Sequence, residues 1–130
     1  MSTAFKTDLY SHFSTYAGLT AYVGKRIKPM ELTQDLENPC LGYQVISGGE
    51  RIHSHQGFSN LERFNLQVSV FADDALEAVQ IADQVILAAQ AWGAANAKVQ
   101  RAWVPVTPGD GYDDPTGCVH IPVDISVIYG

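Results

Sequence analysis

The run "LERFNLQVSVFADDALEA", residues 61–78, constrains the fold more than any other stretch because two periodicities meet inside it. Phe64, Leu66, Val68 and Val70 share one parity, and Arg63, Asn65, Gln67 and Ser69 the other, as in a strand with one buried face. After Ala72 the period changes. Asp74 stands three residues before Glu77, the spacing of a capping box, and predicts that a helix starts there and runs over residues 74–92. Leu76, Val79, Ala82, Ile86 and Ala89 form one apolar stripe on it, and Ile81, Val85, Ala88 and Trp92 a second. A helix over a single sheet needs one stripe, so two predict burial on two sides.

The flanking segments supply the other layers. Phe5, Leu9, Phe13 and Tyr16 recur at helical spacing before Gly18, and "LTAYVGKRIKP" adds a short turn that Gly24 and Pro29 end. Residues 29–39, with Glu31, Asp35 and Glu37 between two prolines, read as an irregular surface connection. "CLGYQVIS" alternates as a first strand, and "GGERIHSHQGFSN", residues 48–60, reads as a long polar loop, mobile for want of apolar anchors. "KVQRAWVPV" reads as a third strand, with Pro105 at an edge or end. "CVHIPVDISVIY" is the clearest strand, with six apolar residues on one parity. The expected fold is α+β in the order α-β-β-α-β-β, a four-stranded, mainly antiparallel sheet with two helices packed on one face.

A chain of 130 residues fits a single domain over residues 1–130. Cys40 and Cys118 have neither metal-ligand nor redox-motif spacing, and predict reduced thiols in a protein assembled in cytoplasm. The amino terminus has no basic segment followed by an apolar run. No stretch approaches the roughly 20 apolar residues of a membrane span, so no membrane partner is expected. A formal net charge of −6 opposes tight binding to phosphates, which requires their neutralisation.

No catalytic constellation stands out. His53 and His55 would point the same way on a strand and could share a metal, but no third ligand lies nearby, and solvated histidines are the simpler reading. Asp110, Asp113 and Asp114 lie among glycines without EF-hand spacing and read as a turn. Lys25, Arg26 and Lys28 form the one basic cluster, either a solvated surface or a face for an acidic partner. His120 shares a parity with Cys118, a weak coincidence, and Asp124 would need a partner such as Arg101 only if buried. Phosphate loops and nucleophile elbows are absent, so neither an enzyme nor a cofactor is expected.

The amino-terminal helix leading into "LTAYVGKRIKP", Pro39 before "LGYQVISGG", the run "RFNLQVSVFADDALEAVQIADQVILAA" and the final "HIPVDISVIYG" together resemble the tail terminator, or tail completion, family of long-tailed bacteriophages and gene transfer agents. The resemblance spans nearly the whole chain. It implies a non-enzymatic virion protein at the neck end of the tail, a homo-hexameric ring that caps the tail tube, stops its polymerisation and offers the surface on which the head docks. Implied partners are other copies of the chain, the tail tube protein, a head-tail connector or head completion protein, and double-stranded DNA passing through the lumen without specific binding. The second stripe of the long helix would then meet a neighbouring subunit through Ile81, Val85 and Trp92. Arg51, His53, His55 and Phe58 would form a loop that docks on tube or head. The acidic balance would keep DNA from adhering to the lumen.

Two alternatives are compatible with the size and α+β character of the chain. One is a head-tail connector or neck protein of the same virion. The other is a small non-viral ligand-binding α+β domain, which would present a concave pocket with convergent polar groups.

Overall fold

The strand centred on Leu66 and Val68 organises the molecule. The computed structural model describes residues 3–30, 37–54, 57–109, 112–113 and 118–130, with side chains described outside 48–54, 57–60 and 112–113. The elements run α1 (Thr3–Thr15), α2 (Ala17–Val23), β1 (Ile27–Pro29), β2 (Cys40–Ser54), β3 (Gly57–Ala72), α3 (Ala75–Ala95), β4 (Val99–Trp103), β5 (Tyr112–Asp113) and β6 (Val119–Tyr129). The strands form one mixed sheet in the order β1-β2-β3-β6-β4, with β5 also paired to β6.

The α+β class is as expected, but the sheet is larger than four antiparallel strands. Three residues of "KRIKP" pair parallel to β2, Ile27 opposite Leu41 and Pro29 opposite Tyr43, and this edge strand is too short to show a period. Three helices are described where two were expected. Tyr16 adopts an extended conformation (φ −70°, ψ 116°), which separates α1 from α2. Gly24 then ends α2 at φ 55°, where a side chain would be strained, and its N–H donates to the Thr20 carbonyl at 3.0 Å. Gly18 lies where α2 meets α3: a Cβ there would fall 2.1 Å from Gln84 Oε1, the tip of a flexible side chain that would have to swing aside.

Register sorts the sheet into two faces. Leu41, Val70 and Ile121 lie opposite one another across three strands, as do Tyr43, Val68 and Val123, and then Val45, Leu66 and Ile125. The helices cover this face. Phe5 stacks on Phe64 with centroids 3.9 Å apart, and Trp92 and the edge of Tyr129 close on Phe5 at 5.8 and 5.2 Å. One aromatic cluster thereby joins α1, β3, α3 and β6.

α3 begins at Ala75 as the change of period predicts, but without the expected capping box. Asp74 is extended and its carboxylate makes no capping hydrogen bond; only its carbonyl accepts, from Ala78 N–H at 3.0 Å. The helix is held by burial of Ala78, Ile81, Ala82, Val85, Ala88, Ala89 and Trp92. Here an expectation is corrected. Ile81, Val85 and Trp92 are wholly inaccessible within their own chain, which leaves them no surface for a neighbouring subunit.

The segment of residues 48–60 also departs from the loop expectation. Residues 48–54 continue β2 and residues 57–60 belong to β3, with Arg51 opposite Glu62, His53 opposite Phe58 and Ser54 opposite Gly57. Register shifts between Val45 and Ser47, Ser47 and Glu50, and Arg51 and His53 hid the strand period, and the Gly48-Gly49 pair falls within the middle one. Backbone pairing carries the hairpin onward where side-chain alternation is lost.

Truncation of Trp92 to alanine should therefore lower the stability of the monomer itself. The expected loss is about 3–5 kcal/mol in urea unfolding, typical of large-to-small changes in a core. It should be the same at low and high protein concentration, whereas a concentration-dependent loss would return Trp92 to a subunit interface.

Candidate assembly surfaces

Three features of the surface stand out. The first is the outer stripe of α3, where Leu76, Val79, Gln80, Asp83, Leu87, Gln90 and Ala94 are all exposed. Leu76, Val79 and Leu87 are 65%, 38% and 47% accessible, high for large apolar side chains on one helix face. Both stripes read from the sequence contribute to the core: Ala82 and Ala89 of the first join Ile81, Val85, Ala88 and Trp92 of the second. The excess apolarity is left outside, on Leu76 and Val79 of the first stripe and on Leu87, which the sequence reading did not single out.

The second feature is the sheet face without helices. Polar rows cross it: Ser126 Oγ donates to Asn65 Oδ1 at 2.8 Å, and Asn65 Nδ2 donates to Ser47 Oγ at 3.0 Å. Gln67 Nε2 donates to Asp124 Oδ1 at 3.0 Å, so Gln67 and not Arg101 is the partner of that exposed carboxylate. Arg101 lies instead over the Trp103 ring, 4.5 Å from its centroid, with Arg63 at 5.5 Å. Beside these groups runs a shallow groove of about 320 Å³ lined by Ile46, Asn65, Pro105, Val106, Asp124 and Ser126. Ile46 and Val106 are 54% and 74% accessible.

The third is the end of the β2–β3 hairpin. β6 pairs with β3 from Ala72 only as far as Glu62, opposite Tyr129; beyond that point β3 has only β2 beside it, with Phe58 opposite His53 and Gly57 opposite Ser54. At about 3.4 Å per residue, the three residues of β2 beyond Arg51 carry this two-stranded arm roughly 10 Å past the sheet. Arg51, His53 and Phe58, expected on a docking loop, have strand backbone in the arm; their side chains and all of His55 lie outside the described residues.

The other sequence candidates are dispersed. Arg26 is committed to the backbone: its Nε donates to the Pro39 carbonyl at 2.8 Å and its Nη2 to the Tyr22 carbonyl at 3.2 Å. Lys25 is exposed and Lys28 half-buried in β1, so the basic trio is not one open patch. Cys40 and Cys118 are both buried, and neither is in a disulfide. Burial, then the neighbouring Cys118, pushes the Cys40 thiol up to about 11 despite Arg26, so it stays protonated and a poor nucleophile at neutral pH. His120 is buried and stacks on Phe71 at 4.4 Å. Asp110 and Asp114 lie outside the described residues, as do Glu31 and Asp35 of the proposed connection, while Asp113 has β5 backbone. Among the described residues, no three His, Cys, Asp or Glu side chains are grouped to hold a metal ion, and no helix is long and apolar enough to cross a membrane.

Beneath α1 lies a polar cleft of about 170 Å³, below the roughly 300–1,000 Å³ of small-molecule sites. His12 lines it, stacked on Trp92 at 5.6 Å, with Nε2 2.7 Å from the Ala88 carbonyl. A carbonyl only accepts, so Nε2 carries the proton. At the same end of the core, Tyr129 Oη donates to Asp8 Oδ2, and burial followed by this carboxylate pushes the phenol up to about 12.

The described residues thus form a small α+β domain with an open sheet face, an apolar outer helix stripe and a hairpin that runs past the sheet. Its sequence matches the family described as tail completion protein gp17 over residues 7–130, and the chain belongs to that family. It is accordingly a structural protein of the phage tail, a virion component from a family that is not a known enzyme class. No curated protein matches it.

His12 makes the fold sensitive to acid. Burial lowers its pKa from 6.5, and the hydrogen bond to Ala88 opposes this only in part. The unfolded chain therefore binds the proton first as pH falls, so the His12 contribution, complete above 6.5, is lost as pH drops through the folded-state value. Urea midpoints should be lower at pH 5 than at pH 7.5, and His12→Gln should shrink that difference; an unchanged difference would assign it to other groups.

Proposed function

We propose that the chain closes into a homo-hexameric ring on the end of the finished tail tube, stops its polymerisation and presents the surface on which the head docks. Membership of the tail completion family carries this reading. The exposed apolar residues on α3 and on the open sheet face support it, because a subunit of a closed assembly needs apolar surface that its own core does not cover. The hairpin arm is the proposed docking element for tube or head connector. Beyond Glu62 its two strands have only each other as neighbours, and unpaired strand edges are templates for added strands. With a net charge of −6 per subunit, the ring would conduct double-stranded DNA without holding it.

Two outcomes follow for experiment. Light scattering should give about 85 kDa, six times the 14.1 kDa subunit, and the assembled protein should arrest elongation of purified tail tubes. Binding to purified heads and not to tails would instead indicate a connector. Removal of Arg51–Phe58 should abolish tube capping while leaving the thermal unfolding of the domain nearly unchanged, since the arm lies beyond the β6 pairing; intact capping would remove the arm from the docking role.

A further inference from the structure

The accessible large apolar residues of the two main surfaces fall on opposite sides of the subunit. Leu76, Val79 and Leu87 face outward from α3, which lies on one side of the sheet, while Ile46 and Val106 line the groove on the other. Their charges differ as well. From Ala75 to Ala95, α3 carries Glu77 and Asp83 and no Lys, Arg or His, and it follows directly on Asp73 and Asp74. The sheet face carries the exposed Arg63 and Arg101 around Trp103, neither in an ion pair among the described residues. On that face the Asp124 carboxylate accepts from Gln67, and the backbone of Arg63 has Glu50 as its register partner in β2. Arg101 is thus the cation best placed to meet an outside carboxylate.

We propose that these two surfaces are the two halves of one subunit contact: the outer stripe of α3 in one copy packs on the Trp103–Val106 side of the open sheet in the next, with Asp83 facing Arg101. The pairing joins apolar to apolar and acidic to basic, whereas helix on helix would bring acidic stripes together. It is also directional. Each contact uses the helix of one copy and the sheet of another, so any pair retains one free surface of each kind, and growth continues until a ring closes. The proposal rests on the ring reading and names the surfaces that build the ring.

Two variants test it. Leu76→Glu with Leu87→Glu blocks the helix surface, and Val106→Glu with Arg101→Glu blocks the sheet surface. All four side chains are exposed, so circular dichroism and urea midpoints should stay near those of the parent. Each variant alone should run as a 14.1 kDa monomer under conditions where the parent is assembled. An equimolar mixture should give a dimer of about 28 kDa, twice the subunit mass, and nothing larger, because one productive contact remains between the intact helix of one variant and the intact sheet of the other.

A mixture that stays monomeric, or either variant dimerising by itself, would overturn the head-to-tail pairing. So would a sheet variant that keeps the parent's mass but no longer caps tubes, since that face would then belong to the tube protein. A parent that remains at 14.1 kDa with and without purified tubes would overturn the ring reading, and the proposal with it; a parent ring indifferent to both variants overturns the proposal alone.

Discussion

The pairing of β3 with unequal neighbours is the constraint on which the other features depend. β6 matches β3 over an unbroken register from Glu62 to Ala72, while β2 follows it to the end of the hairpin. The unbroken part fixes which parity faces the helices, and therefore which residues become core. The excess length becomes the overhanging arm. Since side chains in a strand alternate with a period of two, a one-residue slip of β6 would turn Ile121, Val123, Ile125 and Val127 outward, so burial of those four holds the register.

The helix layer is locked to that register by rings. Phe5 stacks on Phe64 and meets Tyr129 edge-on, while Phe13 and His12 pack against Trp92. Once Trp92 is fixed at the carboxyl-terminal end of α3, the rotation of the whole helix follows from 3.6 residues per turn. Ile81, Val85 and Ala88 point inward, and Leu76, Asp83 and Leu87 are carried outward. The surface available to a partner is therefore set by core aromatics that a partner never touches.

This dependence explains what could be read from the sequence. Alternation in residues 61–72 and 118–129, and the change of period at Asp74, were sufficient for the two central strands and the long helix, because each lies against a continuous core. β1 is three residues long, and the outer half of β2 is interrupted by register shifts, so neither leaves a periodic signal. The two stripes on α3 were visible, but which side faces the sheet depends on contacts with Phe5, Phe13 and His12 from a distant segment. Ile81, Val85 and Trp92 accordingly read as an outward stripe in the sequence and lie inside in the fold. Arg101 and Trp103 could be placed on a strand, but their contact with Arg63 across β6 depends on the sheet order.

Apolar excess on a helix therefore has two separate meanings that the orientation of one ring can distinguish. The small residues Ala78, Ala82, Ala88 and Ala89 let α3 lie close to the sheet, so a narrow set of larger side chains completes the core. Leu76, Val79 and Leu87 then keep 65%, 38% and 47% of their surface outside that core. Retaining them in an acidic, otherwise polar stripe exposes the chain to nonspecific association, a cost offset where a defined partner covers them. The same reasoning applies to Ile46 and Val106 on a face otherwise crossed by hydrogen-bonded polar rows. Large apolar side chains thus remain on two opposed surfaces after the core is complete, and the folding of one chain leaves them in water.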